Sequence, residues 1–179
     1  MRSFLTGLVA FLVTFALAHF VVLNGLPGKI MSKVRDRMTS NGVPVHHWQT
    51  GGRAAPDNQT IVRPSPDLAY AICLIDLSDG PVEITAPSWN EYGSLSVFSA
   101  RTDNVYAGSL DARVAGTPDM RRVVVALPDQ DVSAAGEADV VRVKQPEALT
   151  LIRRLAPTDE AYAAAAALIP ESSCGPLGN

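Results

Sequence analysis

The sequence predicts a mainly β domain, an antiparallel sandwich or barrel, between an N-terminal transmembrane helix and a C-terminal α-helix. Residues 4–26 carry no charged side chain, and an alanine-rich run precedes Pro170. Between them, short apolar runs and turn residues alternate about every ten residues, a spacing typical of antiparallel β folds. We therefore divide the chain into an anchor with a basic flank (residues 1–38), a Pro- and Gly-rich linker (39–66) and a β-rich domain (67–179).

The apolar run from Phe4 to Leu26 is long enough to cross a bilayer in a single pass. A helix rises about 1.5 Å per residue, so the run extends about 34 Å, against a hydrocarbon core of about 30 Å. A cleaved signal peptide is an alternative, because Ala16-Leu17-Ala18 has the small-x-small form of a cleavage site. Apolar residues continue past that site, which favours an uncleaved signal anchor. A buried helix of a soluble protein is a further alternative, although uncharged runs of this length are uncommon there. The lipid bilayer is thus the first predicted partner.

Charges and cysteines give opposite indications about which side of the membrane holds the domain. Four Lys and Arg residues closely follow the apolar run and only Arg2 precedes it, which favours a cytoplasmic domain. Cys73 and Cys174 permit one intramolecular disulfide, and structural disulfides persist in oxidising compartments. The residues alone leave open whether this disulfide forms or Cys73 simply packs as a small apolar side chain.

The distribution of charge bears on the class of partner. Residues 1–38 carry five Lys and Arg against one Asp, whereas residues 39–179 carry ten Lys and Arg against seventeen Asp and Glu. The basic flank suits anionic lipid headgroups. The acidic domain has no basic cluster, so nucleic acid is not a predicted partner.

Alternation of apolar residues predicts the strands of the domain. Leu68 to Leu77 is apolar on both faces and predicts a central strand, and Val82 to Thr85 is predicted to return as its hairpin partner. The other predicted strands are residues 94–99, 105–107, 112–114, 122–127, 140–143 and 149–155. Thr158 is predicted to cap the final helix, which continues to Leu168.

Polar side chains at the ends of two predicted strands form the candidate site. They are Arg63, Asp67, Tyr70 and Asp76 beside the first strand, and Arg101, Asp103 and Asn104 at the end of a later one. Arg63 or Arg101 would hold an anionic ligand through forked hydrogen bonds, and Asp67 as a base with Tyr70 as a proton donor are the candidate catalytic pair. The alternative is structural, since unpaired buried charges are costly and such groups often form ion pairs.

Established catalytic, cofactor and metal motifs are not evident in the sequence. The adjacent side chains of His46 and His47 diverge on either a helix or a strand, and no third ligand can be named. We therefore predict no cofactor and no metal site.

Several segments resemble the domain of unknown function 1254 family and occur in the order of that family. The specific segment is residues 63–81, beginning Arg63-Pro64-Ser65-Pro66-Asp67; the others are residues 92–97, 102–104 and 151–154. Together they cover most of residues 45–174. The family commonly has Asn-Pro-Asp-Thr where this chain has Ser65-Pro66-Asp67-Leu68, which weakens the transfer of a binding or catalytic role to these positions.

The resemblance implies a jelly-roll-like β fold in a short, membrane-anchored form. In longer members a second domain, the domain of unknown function 1214, follows, so the implied partner is a companion membrane protein that carries this sister domain. Short anchored relatives have cysteines at similar places, which implies a disulfide between Cys73 and Cys174 and a periplasmic domain on the bacterial inner membrane. We expect a binding or accessory subunit; the alternative is a hydrolase or lyase-type enzyme with a polar site in the sandwich.

Overall fold

The computed structural model describes residues 2–55 and 64–178. Its elements are α1 (Arg2–Ser40), β1 (Trp48–Thr50), β2 (Leu68–Asp76), β3 (Val82–Pro87), β4 (Gly93–Ser99), β5 (Asn104–Ser109), β6 (Met120–Ala126), β7 (Asp139–Arg142), β8 (Glu147–Leu155), α2 (Asp159–Ala167) and β9 (Ser173–Pro176), with a short 3-10 turn at Ser133–Ala135. These elements confirm a sheet-rich fold with a long apolar N-terminal helix and a C-terminal helix.

Helix α1 is the one described helix that is long and apolar enough to cross a membrane. It has 39 residues and includes Pro27, which lies just after the apolar run. Because length and composition are the criteria, a membrane anchor and a signal sequence both fit this helix.

The strands form two sheets around a common core. The five-stranded sheet has the order β1-β2-β8-β4-β5 and the four-stranded sheet the order β7-β6-β3-β9. Buried side chains from both sheets, such as those of Ile75, Ile84, Val97 and Val125, belong to one apolar cluster. The β6–β7 pair is parallel, so the second sheet is mixed, whereas we expected antiparallel strands throughout.

Two strand predictions were wrong. Strand β3 was expected to pair with the first long strand, but it pairs with β6 and β9 in the other sheet. The long partner of β2 is β8, which lies about 75 residues later in the chain and aligns Leu68 with Leu155 and Asp76 with Glu147. Residues 112–114 form a turn instead of a strand, and the carboxylate of Asp111 accepts the backbone N–H of Arg113 there.

A disulfide joins Cys73 of β2 to Cys174 of β9 and thereby links the two sheets. Both cysteines are buried in the core cluster. This is the pairing that the family resemblance implies. Since β9 is a four-residue edge strand that pairs only with β3, the disulfide is its second attachment to the domain.

Helix α2 begins as predicted. The hydroxyl of Thr158 accepts the backbone N–H of Ala161 at 3.1 Å, and two acidic residues in the first turn favour the positive end of the helix dipole. The helix packs Ala165 against Ala69 of β2 and Ala156, in a small cluster beside the main core. This contact brings the last turn of α2 to the end of the five-stranded sheet.

Gly93, at the start of β4, passes too close to its neighbours to accept a side chain. A Cβ at this position would lie 2.9 Å from the Cβ of Leu110 and 3.4 Å from the Cβ of Trp89, and backbone hydrogen bonds hold Leu110 to both residues. We expect Gly93→Ala to lower the free energy of unfolding by about 1 to 3 kcal/mol through overpacking. Chemical denaturation of the full chain in mild detergent measures this loss.

The matched control is Gly175→Ala in β9, where an added Cβ meets nothing within 4 Å. A loss of stability for Gly93→Ala no larger than that for Gly175→Ala would contradict the close approach at Leu110.

Candidate functional site

The predicted site residues lie at opposite ends of the five-stranded sheet. Asp67 and Tyr70 are at the start of β2, and Asp76 is its last residue. Tyr70 and Asp76 are six residues apart along the strand, about 20 Å at roughly 3.3 Å per residue. Arg101 follows the end of β4, which lies at the same end of the sheet as Asp76. Arg63 lies outside the described residues, and the described members do not converge on one site.

Asp67 and Tyr70, the candidate catalytic pair, are not hydrogen-bonded to each other. The hydroxyl of Tyr70 accepts the backbone N–H of Ser65 at 3.0 Å. Asp67 is exposed, and its backbone carbonyl accepts the N–H of Ala156 at 2.7 Å. Within residues 2–55 and 64–178, neither side chain is oriented by a further acid or base, as a proton-transfer pair requires.

The crevice beside Tyr70 is small. It has a volume of about 10 Å³ and is lined by Thr50, Ala69, Tyr70, Ala71, Ile152, Arg154, Tyr162, Ala165, Ala166 and Ile169. This volume holds about one water molecule, whereas sites for small organic ligands have roughly 300 to 1,000 Å³. The crevice therefore has no room for an organic substrate in this conformation.

Arg154 lines this crevice and was not among the predicted site residues. Only 1 % of it is exposed, and its guanidinium donates to the carbonyl of Pro87 at 3.0 Å and to that of Ala165 at 3.5 Å. Its Nε has no partner among the described residues. Burial lowers the pKa of Arg154 to about 10, and the charge of Glu171 acts in the opposite direction. The guanidinium is thus still charged at neutral pH and joins β3 to the last turn of α2.

Asp76, at the other end of β2, is held by the end of α1. The Arg35 guanidinium donates to the carbonyl of Ile75 at 2.8 Å and to the carboxylate of Asp76 at 3.1 Å, and its Nε lies 3.5 Å from the carboxylate of Glu147. Hydrogen bonds from Ser78, with a smaller contribution from the charge of Arg35, lower the pKa of Asp76. We call this group of contacts, formed by Arg35, Ile75, Asp76 and Glu147, the Arg35 clamp.

One face of α1 after the apolar run turns toward the β domain. Its half-buried residues recur every three or four positions and are Pro27, Gly28, Met31, Val34, Arg35 and Met38. A Cβ at Gly28 would lie 4.0 Å from the carbonyl oxygen of Ala100, and Lys29, Lys33 and Arg37 are exposed. Of the basic flank that we expected to meet lipid, Arg35 instead binds the domain.

The Arg35 clamp predicts different effects for two neighbouring arginines. Arg35→Ala removes two charge-assisted hydrogen bonds, each worth about 1.5 to 3 kcal/mol, so we expect residues 28–40 to detach from the sheet. Hydrogen exchange of the full chain in detergent micelles should then be faster in this segment. Arg37→Ala is the control, because Arg37 is exposed and makes no hydrogen bond or ion pair in the described part of the chain. Equal exchange in the two variants would contradict the clamp.

The turn between β4 and β5 contains the remaining predicted residues. Ser99 donates to the carboxylate of Asp103 at 3.1 Å and accepts the backbone N–H of Arg101 at the same distance. The amide NH₂ of Asn104 fits between the carbonyls of Val97 and Tyr106. Asp103 and Asn104 thus stabilise the hairpin, whereas the Arg101 guanidinium has no hydrogen bond or ion pair among residues 2–55 and 64–178.

A larger cleft lies at the start of β6 and β7, and none of the predicted site residues lines it. It has a volume of about 200 Å³ and is lined by Pro118, Met120, Arg121, Arg122, Glu137 and Asp139. Both arginines are paired: Arg121 lies 3.4 Å from Asp139, and Arg122 lies 2.6 Å from Glu83. Tyr106 also donates to Asp139, at 2.7 Å, and burial raises the pKa of its hydroxyl. Both ion pairs therefore lie within the four-stranded sheet, whereas the hydrogen bond from Tyr106 links that sheet to β5 of the other.

Comparison with known proteins identifies a family and a shared fold. The family model described as "Protein of unknown function (DUF1254)" matches residues 44–176. The solved structure of the VPA0106 protein from Vibrio parahaemolyticus has a TM-score of 0.65 at 20 % identity, over 84 % of this chain and 35 % of that chain. A structure of an uncharacterised protein from Burkholderia cenocepacia has a TM-score of 0.45 at 12 % identity, over 80 % of this chain and 38 % of that chain.

The likeness to the Vibrio protein shows the fold alone, and this chain spans about a third of that protein's length. No curated protein matches the chain. The family match covers every strand of the described residues, from β1 to β9, and confirms the resemblance found in the sequence. The chain therefore belongs to the DUF1254 family of proteins of unknown function.

Proposed function

We propose that the protein is a single-pass subunit of the bacterial inner membrane that presents a jelly-roll-like β-sandwich in the periplasm and binds a companion membrane protein. The observation that carries this proposal is the Arg35 clamp. The apolar helix is attached to the folded domain by hydrogen bonds and an ion pair. A domain fixed in this way has a defined orientation at the membrane surface, which suits assembly with another membrane protein.

The disulfide supports the periplasmic side. Cys73 and Cys174 are joined and buried, and structural disulfides are rare in reducing compartments. We give the disulfide more weight than the positive charges that follow the apolar run. One of these charges, Arg35, binds the domain, so three exposed cations remain as an indication of a cytoplasmic domain.

The proposed companion carries the sister domain of unknown function 1214. The solved Vibrio protein is much longer than this chain, which covers only 35 % of it. We propose that the companion brings such a second domain to the complex. The bilayer itself is the other proposed partner.

The alternative function, a hydrolase or lyase, requires a pocket that joins acid and base groups to a substrate. In the described residues, Tyr70 is about 20 Å and Asp67 about 30 Å from Asp76 along the strand direction, and the crevice beside Tyr70 has about 10 Å³. The geometry favours binding over catalysis.

Extraction of the tagged full-length protein tests this proposal. We expect the protein to stay in the membrane pellet after an alkaline carbonate wash, to migrate as an oxidised species on a non-reducing gel, and to bring a second envelope protein with it in mild detergent. Release by carbonate, or the absence of both partner and disulfide, would contradict the proposal.

The double variant Asp67→Ala and Tyr70→Phe separates the two functions. The accessory role predicts the same recovery of the companion as for the wild-type protein. Loss of a catalytic activity in this variant, with the domain still folded, would support the enzyme instead.

A further inference from the structure

We propose that the side of the domain formed by the edge strands β5 and β7 rests on the headgroup layer of the bilayer that α1 crosses. This inference depends on the proposed role of α1 as an anchor and adds the face of the domain that meets lipid. Its evidence is the direction in which α1 crosses the strands.

Helix α1 runs across the end of the five-stranded sheet in the direction of the strand order. Gly28 lies beside Ala100, which follows β4, and Arg35 binds Ile75 and Asp76 at the end of β2. The seven residues from Gly28 to Arg35 rise about 10.5 Å. The two steps from β4 through β8 to β2 span about 9.6 Å at roughly 4.8 Å per strand. The agreement indicates that the helix axis and the strand order are close to parallel.

The direction of α1 determines how far β5 lies from the bilayer. Strand β5 lies one strand spacing beyond β4, on the side away from β2. One spacing is about 4.8 Å, which equals the rise of about three helical residues. Its level along α1 is therefore close to Gly25, next to the end of the apolar run at Leu26. With a hydrocarbon core of about 30 Å and a whole bilayer of about 40 to 45 Å, this level falls in the headgroup layer. Strand β1, at the opposite edge of the sheet, is farthest from the bilayer.

The second sheet follows the same order. The disulfide between Cys73 and Cys174 places β9 opposite β2, and the hydrogen bond from Tyr106 to Asp139 places β7 opposite β5. The two free edges β5 and β7 thus lie on one side of the domain, and that side is nearest the membrane.

Exposed apolar residues support this side independently. Outside α1, the large exposed hydrophobic residues of the described chain are Tyr92, Val105, Val114, Met120 and Val140. Val105 is on β5, Met120 starts β6 and Val140 is on β7. Exposed edge strands tend to pair with other chains unless they are covered. A lipid headgroup layer covers these edges and accommodates isolated apolar side chains.

Two cations border the same side. Lys29 is exposed on α1, next to the position of Gly28, and Arg101 is in the turn that joins β4 to β5. Neither side chain has a carboxylate partner among the described residues. The phosphate groups of phospholipids are the anions that lie at this depth, and they bind Lys and Arg side chains through charge-assisted hydrogen bonds.

Site-specific quenching tests the proposal in the full chain. Both native cysteines are in the disulfide, so an introduced cysteine is the only free thiol. A fluorophore is attached to Val105→Cys on β5 or Val140→Cys on β7, and the control label to the exposed Gln49→Cys on β1. The proteins are reconstituted in phosphatidylcholine vesicles that contain phosphatidylglycerol, with or without a lipid that carries a nitroxide on its headgroup.

We expect the headgroup nitroxide to quench the labels at residues 105 and 140 and to leave the label at residue 49 bright. Quenching of residue 49 equal to or stronger than that of residues 105 and 140 would overturn the proposed face. A fourth label, at Phe15→Cys, tests the anchor itself with a nitroxide on the acyl chain. Absence of quenching at residue 15 would overturn the anchor and with it the membrane-facing side. If residue 15 is quenched but residues 105 and 140 are not, only the proposed membrane-facing side is overturned.

Discussion

Replacing Cys174 with Ser is expected to lower the free energy of unfolding by about 4 to 5 kcal/mol. The bond to Cys73 spans a sequence separation of 101 residues, and the chain-entropy model gives a loss of this size for a loop of about 100 residues. Without the bond, the hydrogen bonds of β9 within the described residues are those to β3, from four paired residues and the side chain of Thr85. Urea denaturation of the full chain in mild detergent, followed by tryptophan fluorescence, measures the change.

Reduction of the wild-type protein provides the matched control for this variant. A reducing agent should lower the stability of the wild-type protein to that of Cys174→Ser and should leave the variant unchanged. A variant within about 1 kcal/mol of the oxidised wild-type protein, the range of an ordinary substitution, would contradict a stabilising disulfide.

Arg154→Ala is expected to lower the free energy of unfolding by about 3 kcal/mol or more. The substitution leaves a cavity in place of a fully buried side chain, and it leaves the carbonyls of Pro87 and Ala165 without this donor. Arg154→Met should cost less, about 1 kcal/mol, because it fills much of the volume and removes a desolvated charge. The same denaturation experiment compares the two variants.

The neighbouring residue gives a control for Arg154. Arg153 points to the opposite face of β8, is half-buried, and donates to the hydroxyl of Ser96 at 3.2 Å. Arg153→Ala should therefore change stability by about 1 kcal/mol at most. An equal loss for Arg153→Ala and Arg154→Ala would show that the buried position of Arg154 is not what stabilises the domain.

Local patterns in the sequence predicted most of the elements but not their pairing. The apolar run of β2 and the cap at Thr158 depend on nearby residues, and both predictions agree with the structure. The pairing of β3 with β6 and β9 depends on distant segments, so the preference of hairpins for sequence neighbours gave the wrong partner. Strands β1 and β9 have three and four residues, which is too short for alternation to be recognised.

The candidate site shows the same division between local and distant contacts. Asp76 was recognised as a charged group that needs a partner, but its partner Arg35 lies 41 residues earlier in a basic flank that we assigned to lipid. The inward direction of Arg154 could have been found from the alternation of Ala148, Thr150 and Ile152, which predicts that the next residue of the series is also buried. What it binds depends on Pro87 and α2, and no local pattern contains that information.

The side of the membrane on which the domain lies is the central claim, and the accessibility of one thiol tests it most directly. Val114 is 51 % exposed, and Val114→Cys adds a single free thiol to the oxidised protein. In spheroplasts that contain the full-length variant, a membrane-impermeant maleimide should label residue 114 as completely before lysis as after it. Labelling only after lysis would place the domain in the cytoplasm, as the basic flank alone predicts, and would contradict a periplasmic, disulfide-linked subunit.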